Sequence, residues 1–249
     1  MTATKKFEHV RQHSKFHDFL SGRGRWVNHA PHGQTTRGED FLIKSEFGSV
    51  ESAVVVNPDG SPNYDRPVYR EAPTVNIVAY GDHADDRIRM AVITQQRPHA
   101  DDPEHPGNDH APVMFGQIPM GFMDRIIGKD SLERLETGKD CAKREVAEET
   151  GVGTIIKIEQ PPYPYMYPNP TFCATWSDVF WVKVDLNSVE QNKFDRTELI
   201  YSAEYIPVPE LLRRIREGKD VTGALYRMGL SLGDLMLFFA CYPQYFTPE

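Results

Sequence analysis

Cysteine is scarce in this sequence. Cys141, Cys173 and Cys241 are odd in number and scattered, and no CxxC pair occurs. That argues against a disulfide framework or a zinc knuckle and leaves free thiols in a reducing compartment as the expectation. Long apolar runs are missing too. The longest late one, "LMLFFACY" from Leu235, falls far short of the ~20 residues that a bilayer crossing needs. The opening "MTATKKFEHVRQHSKF" has no apolar core of signal-peptide type. A soluble, cytoplasmic protein with no membrane partner is therefore expected. There is no excess of positive charge: 28 Lys and Arg stand against 36 Asp and Glu, a formal net charge of −8. General binding to nucleic acid is disfavoured, while small charged ligands stay open, with a metal as the bridge between an acidic protein and an anionic substrate. No internal repeat or low-complexity tract is found.

What is present reads as globular. With 39% hydrophobic and 26% charged residues the chain can bury a core, and 249 residues suit one large domain or a standard domain with an extension. Residues 1–40 are polar and rich in His, Lys and Arg, and read as a short helix followed by an irregular arm. "FLIKSEFGSVESAVVV" (Phe41–Val56) has β character, and "NPDGSPNYDRP" after it is dense in turn residues, so 41–70 is expected to be a β extension. From residue 71 strands and helices interleave. "TVNIVAYG" and "IRMAVITQQ" read as strands joined by the turn "DHADD", and "RPHADDPEHPGNDHAP" as a long loop. "VMFGQIPMGFMD" reads as a short strand and "KDCAKREVAEET" as a helix. Thr137 and Asp140 are spaced like a capping box, and Gly151 sits where a terminating glycine belongs. Strands around "GTIIKIEQ", "WSDVFWVKVDL" and "AEYIPV" follow, then the helix "PELLRRIREG" and a final helix over about "TGALYRMGLSLGDLMLFFACY". The pattern predicts a mixed α/β domain over 71–249.

The stretch "ETGKDCAKREVAEETGV" (Glu136–Val152) is where chemistry concentrates. At about 100° per residue, Glu145, Glu148 and Glu149 share an arc of about 100°, with Arg144 on its flank. Ionised carboxylates at such spacings repel one another and cost helix stability. Standing alone they would fit a solvated helix face. Gathered for a purpose, they offer the oxygen ligands that a hard divalent cation such as Mg²⁺ takes.

This stretch resembles the Nudix hydrolase box. Glu136, Arg144, Glu145, Val146, Glu148, Glu149, Gly151 and Val152 all match that pattern at its fixed spacing. The opening glycine departs from it, because strict spacing puts Asp130 there. Starting the box at Gly121 in "QIPMGFMD" restores the glycine and makes about nine residues of "RIIGKDSLERL" an insertion. The resemblance covers about Val68 to the C-terminal helix and implies a Nudix-type α/β/α sandwich with a mixed sheet.

Further segments resemble the ADP-ribose pyrophosphatases of that family: "ITQQRP" with Arg97, "QIPMG" with Gly121, Pro168 sixteen residues past Val152, and "YIPVPELLRRIREGKD". Arg97 is equally readable as a surface arginine, though an arginine beside a diphosphate has a clear role. "EQPPYPYMYP" is similar in part to a signature of NADH pyrophosphatases. It lacks the tryptophan, and the chain has no four-cysteine zinc site. The tyrosines of this segment could stack on an adenine or simply pack the domain edge.

The resemblance implies Mg²⁺-dependent hydrolysis of a nucleoside diphosphate linked to another group, foremost ADP-ribose to AMP and ribose 5-phosphate, with Mn²⁺ as a possible substitute. A dinucleotide or nucleotide-sugar substrate is the alternative, and a non-catalytic nucleotide sensor a second one. The sensor reading has little to stand on, since the box glutamates are complete and no helix-turn-helix pattern is seen. Glu136, Glu145, Glu148 and Glu149 are implied metal ligands. Arg144 would orient a glutamate, and Arg97, Gly121 and Pro168 would line the substrate. Glu198 is the expected catalytic base, with Asp195 and Glu204 behind it. The N-terminal β segment suits a homodimer.

Overall fold

The chain is represented by a computed structural model that describes residues 27–29, 35–37, 43–45, 48–56, 62–85, 87–97, 113–127, 133–168, 176–190 and 199–246. Its contacts divide it into two units, residues 1–73 with 167–175 and residues 74–166 with 176–249. In the first, strands β1 (Val27–His29), β2 (Thr35–Arg37), β3 (Ile43–Ser45), β4 (Gly48–Val56) and β5 (Pro62–Glu71) form one sheet. The segment expected to be turn-rich after Val56 is thus strand from Pro62 onward, paired along β4 from Val56 to Gly48.

The second unit holds the catalytic candidates. Its sheet runs β12 (Ile155–Glu159), β14 (Ser177–Val184), β6 (Thr74–Asp82), β7 (Ile88–Arg97), β15 (Ile200–Pro207). Three shorter strands join it: β8 (Val113–Gln117) on β7, β9 (Met120–Phe122) on β6 and β13 (Tyr165–Met166) on β14. β14 pairs β6 in parallel and the other pairs are antiparallel, so the sheet is mixed.

Alternation along the strands sorts the core into two layers. Val75, Ile77, Ala79, Ala91, Phe180 and Val182 pack with Cys141, Ala142 and Val146 of helix α1 (Gly138–Thr150). Val78, Tyr80, Met90, Val92 and Trp181 pack on the opposite face. Their partners there are Leu211 of α2 (Val208–Glu217) and Leu235, Phe238 and Phe239 of α3 (Gly229–Cys241). This is the α/β/α sandwich expected from the box.

α1 begins and ends where its sequence says. Thr137 accepts the Asp140 N–H at 3.2 Å, and its hydroxyl donates to the Asp140 carboxylate at 2.7 Å. Gly151 takes φ 69°, a left-handed conformation that glycine reaches without strain, and its N–H returns to Ala147 O. α3, in contrast, starts at Gly229 rather than near Thr222. Asp220 captures the N–H of Thr222 and of Ala224, and Gly223 turns at φ 89°, so the side chain closes a turn that competes with helix.

The α3 layer also contains a buried acid. Asp234 is fully buried, accepts one bond from Asn76 Nδ2 at 2.8 Å, and its Oδ1 has no partner among the described residues. Burial lifts its pKa from 3.8 to about 7, against the pull of the Asn76 bond. The native state therefore holds a proton that the unfolded chain releases near pH 4. The contribution of Asp234 to stability is fullest below that pH and declines as pH rises toward 7, at ~1.4 kcal/mol for each unit of difference. Asp234→Asn is expected to raise the unfolding free energy at pH 8 by a few kcal/mol and to change it little at pH 4, measured by urea titration at both values.

Candidate functional site

The inner ridge of α1 runs along β9 residue by residue. Cys141 Sγ donates to Phe122 O at 3.3 Å, Glu145 lies against Gly121, and Glu149 accepts the Met120 N–H at 3.0 Å. Residues 141, 145 and 149 are four apart and so share one line of the helix. Glu145 and Glu149 are only 4% and 3% exposed, whereas the Glu148 side chain is 54% exposed. The single carboxylate arc read from the sequence thus separates into two acids buried against a strand and one on the rim.

Gly121 is required by space. A Cβ there would stand 1.8 Å from Glu145 Oε1 and 2.0 Å from its Cδ. Gly121→Ala is therefore expected to displace the Glu145 carboxylate and to cost roughly 1–3 kcal/mol in stability, read as a lowered melting temperature together with reduced turnover. This close fit is consistent with Gly121, rather than Asp130, as the start of the box.

Arg144 sits among the acids. Nη1 donates to Glu145 Oε1 at 2.8 Å and to Glu148 Oε2 at 3.0 Å. Nη2 donates to Glu136 Oε2 and to Phe122 O, both at 2.9 Å, and Nε to Glu136 Oε1 at 3.3 Å. Asp124 Oδ2 lies 3.5 Å from Nε. Burial works against the Glu136 carboxylate, but the bonds from Arg144 and from the Asp124 N–H hold its pKa below the usual range. Glu136 is therefore ionised and fixed.

The inserted run is a hairpin. β10 (Arg125–Ile127) pairs antiparallel with β11 (Glu133–Leu135), Arg125 opposite Leu135. At its base Glu136 N–H donates to Asp124 O at 2.7 Å, and Asp124 N–H to Glu136 Oε2 at 3.2 Å. The chain leaves after Asp124 and returns at Glu136 to the same place. Extra residues between Gly121 and Glu136 are thereby absorbed without pulling Glu136 off Arg144.

Arg97 reaches the same neighbourhood from the end of β7. Its guanidinium donates to Gln117 Oε1 at 3.2 Å and lies 3.4 Å from Met120 Sδ, one residue's backbone away from the anchor of Glu149. Pro168 is exposed and belongs to the first unit. Glu198 and Asp195 lie outside the described residues. Glu204 shares the strand face of Ile206 in the α2–α3 layer, away from α1, and is paired with Arg214. It is not available as a base for this cluster. Asp124 was missed by sequence reasoning, because only the hairpin closure shows that a residue twelve positions before Glu136 is its neighbour.

Four carboxylates and one guanidinium give the set three net negative charges, and carboxylate oxygens are the donors that a hard divalent cation takes. Among the described residues no three acidic, His or Cys side chains already form a metal-ligand group, since Arg144 stands between Glu136, Glu145 and Glu148. By donor type and charge, the residues fit such an ion. Among the described residues no helix is long and apolar enough to cross a membrane.

Comparison with curated proteins found no match. A sequence model of the NUDIX domain matches residues 71–225, which is 155 of 249 residues and spans the box, its hairpin and the sheet that carries them. The chain belongs to the Nudix family, whose domain supports hydrolysis of a diphosphate bond in nucleoside diphosphates linked to another group and generally uses a divalent metal.

Proposed function

We propose that this protein hydrolyses ADP-ribose to AMP and ribose 5-phosphate with Mg²⁺, Mn²⁺ serving as a substitute. The observation that carries the reading is the pair Glu145 and Glu149, both buried against β9, Glu145 in the space left by Gly121 and Glu149 on the Met120 N–H. Glutamates kept out of solvent on a helix that could have carried apolar residues are there for chemistry.

Glu136, Glu145, Glu148 and Glu149 would hold the ion. A divalent cation bound there neutralises diphosphate charge and lowers the pKa of an attacking water. Arg144 keeps Glu136 ionised, aims Glu145, and ties both to the Phe122 carbonyl, so these groups need not reorganise during the reaction. Arg97, beside Met120 at the end of β7, would meet a substrate phosphate. Water attacks one phosphorus, the bridging oxygen leaves with the other phosphate, and the proton passes to a base for which Glu198 is our candidate. Glu198→Gln tests that assignment.

The specific case for ADP-ribose rests on "ITQQRP", "QIPMG" and Pro168. Full-length protein incubated with ADP-ribose and Mg²⁺ should yield AMP and ribose 5-phosphate in equal amounts by chromatography. Intact ADP-ribose alongside cleavage of NADH or a nucleotide sugar would replace the substrate and keep the chemistry. We also propose that the protein is a homodimer, to be read by light scattering.

A further inference from the structure

Three large aromatic side chains crowd the surface at one end of the sheet. Tyr163, Tyr165 and Trp176 are 69%, 46% and 48% exposed. Their rings meet edge to face, Tyr163 with Tyr165 at 6.2 Å and 86°, Tyr165 with Trp176 at 6.3 Å and 84°. Scattered exposed aromatics are unremarkable, but a contiguous, ordered row marks a binding surface.

The row lies on the face of the sheet that carries the carboxylates. Tyr165 is directly opposite Asp178 in the β13–β14 pair, and opposed residues share a face. Asp178 Oδ2 is 2.9 Å from where a Cβ on Gly138 would stand, which places that face under the first turn of α1. Met166 turns the other way, packing against the α3 layer and lying 3.2 Å from the corresponding point on Gly233. Gly138 precedes Glu145 by seven residues, or about 10 Å along the helix axis at 1.5 Å per residue. Across the sheet, Asp178 is level with Val75 of β6 and Val75 with Gly121 of β9. Asp178 and the strand position beside Glu145 are thus two strand spacings, about 10 Å, apart, comparable with the reach of a nucleotide from its base to its diphosphate.

We propose that Tyr163, Tyr165 and Trp176 form the stacking platform for the purine base of the substrate, while its diphosphate lies at Glu145 and Glu149. The proposal rests on the diphosphatase reading and adds where the nucleoside half is recognised. Ring faces accept a base without reading its edge, and each stacked base contributes enough that losing one ring weakens binding by about 10-fold or more.

The test uses full-length protein and calorimetric titration with AMP, and with ribose 5-phosphate, which lacks the base. Tyr165→Ala and Trp176→Leu are expected to weaken AMP binding about 10-fold or more and to leave ribose 5-phosphate binding unchanged. KM for ADP-ribose should rise by the same factor at constant kcat, and Trp176→Phe, which keeps a ring face, should restore most of both. AMP affinity and KM that stay at the wild-type values would overturn the platform while leaving the diphosphatase reading in place. Loss of AMP affinity in a protein that never cleaves ADP-ribose would do the reverse. A change in oligomeric state by light scattering, with AMP binding intact, would make the row a protein interface and also overturn the proposal.

Discussion

Glu149→Gln is expected to lower kcat for diphosphate hydrolysis by about 10³-fold or more while leaving the melting temperature within a few degrees of wild type. The substitution keeps an acceptor oxygen for the Met120 N–H, the bond that seats this side chain against β9. It replaces the other carboxylate oxygen with an uncharged amide nitrogen. A neutral amide is a weak ligand for a hard cation, so the loss should appear in turnover and in Mg²⁺ affinity rather than in folding. Initial rates at saturating Mg²⁺, set beside a thermal melt, separate the two. A Glu149→Gln protein with turnover near wild type would remove Glu149 from the reaction and with it the metal assignment of the buried pair.

Arg144→Lys is expected to fail almost as badly as Arg144→Ala, with at least a 10²-fold fall in kcat/KM in each. One planar guanidinium reaches Glu136 and the Phe122 carbonyl through Nη2, and Glu145 and Glu148 through Nη1. An ammonium on a flexible stem cannot span both sides at once. Losing these bonds leaves the carboxylates facing one another, at a cost of roughly 2–3 kcal/mol, below the 3–5 kcal/mol of a fully buried pair because the side chain stays 26% exposed. In a domain of this size that corresponds to a fall in melting temperature of about 5–10 °C. A stable, active Arg144→Lys would show that Arg144 only neutralises charge.

The hairpin explains why the opening glycine departs from the usual spacing at little structural cost. The geometry of such a site depends on which atoms meet, and Asp124 and Glu136 meet through two hydrogen bonds. An insertion that returns to its starting point leaves that meeting intact.

Much of this protein was legible in the linear sequence. The limits of α1 could be read because Thr137, Asp140 and Gly151 act through bonds a few residues long, while the sandwich was expected from the resemblance of the box. The box glutamates could be read because fixed spacing on a helix fixes relative direction. What spacing could not supply is the surroundings of each residue. That Glu145 and Glu149 are buried and Glu148 is not depends on β9 lying along one ridge of α1, a contact between residues more than twenty positions apart. That Glu145 closes onto Gly121 depends on the volume beside it, and that Glu204 sits in the α2–α3 layer depends on which side of β15 it occupies. Helix caps, periodicity and the carboxylate motif are local and were determined by the sequence alone. Burial, pairing and the aromatic row at the start of α1 arise only when distant strands are brought to one face, and the tertiary structure decided them.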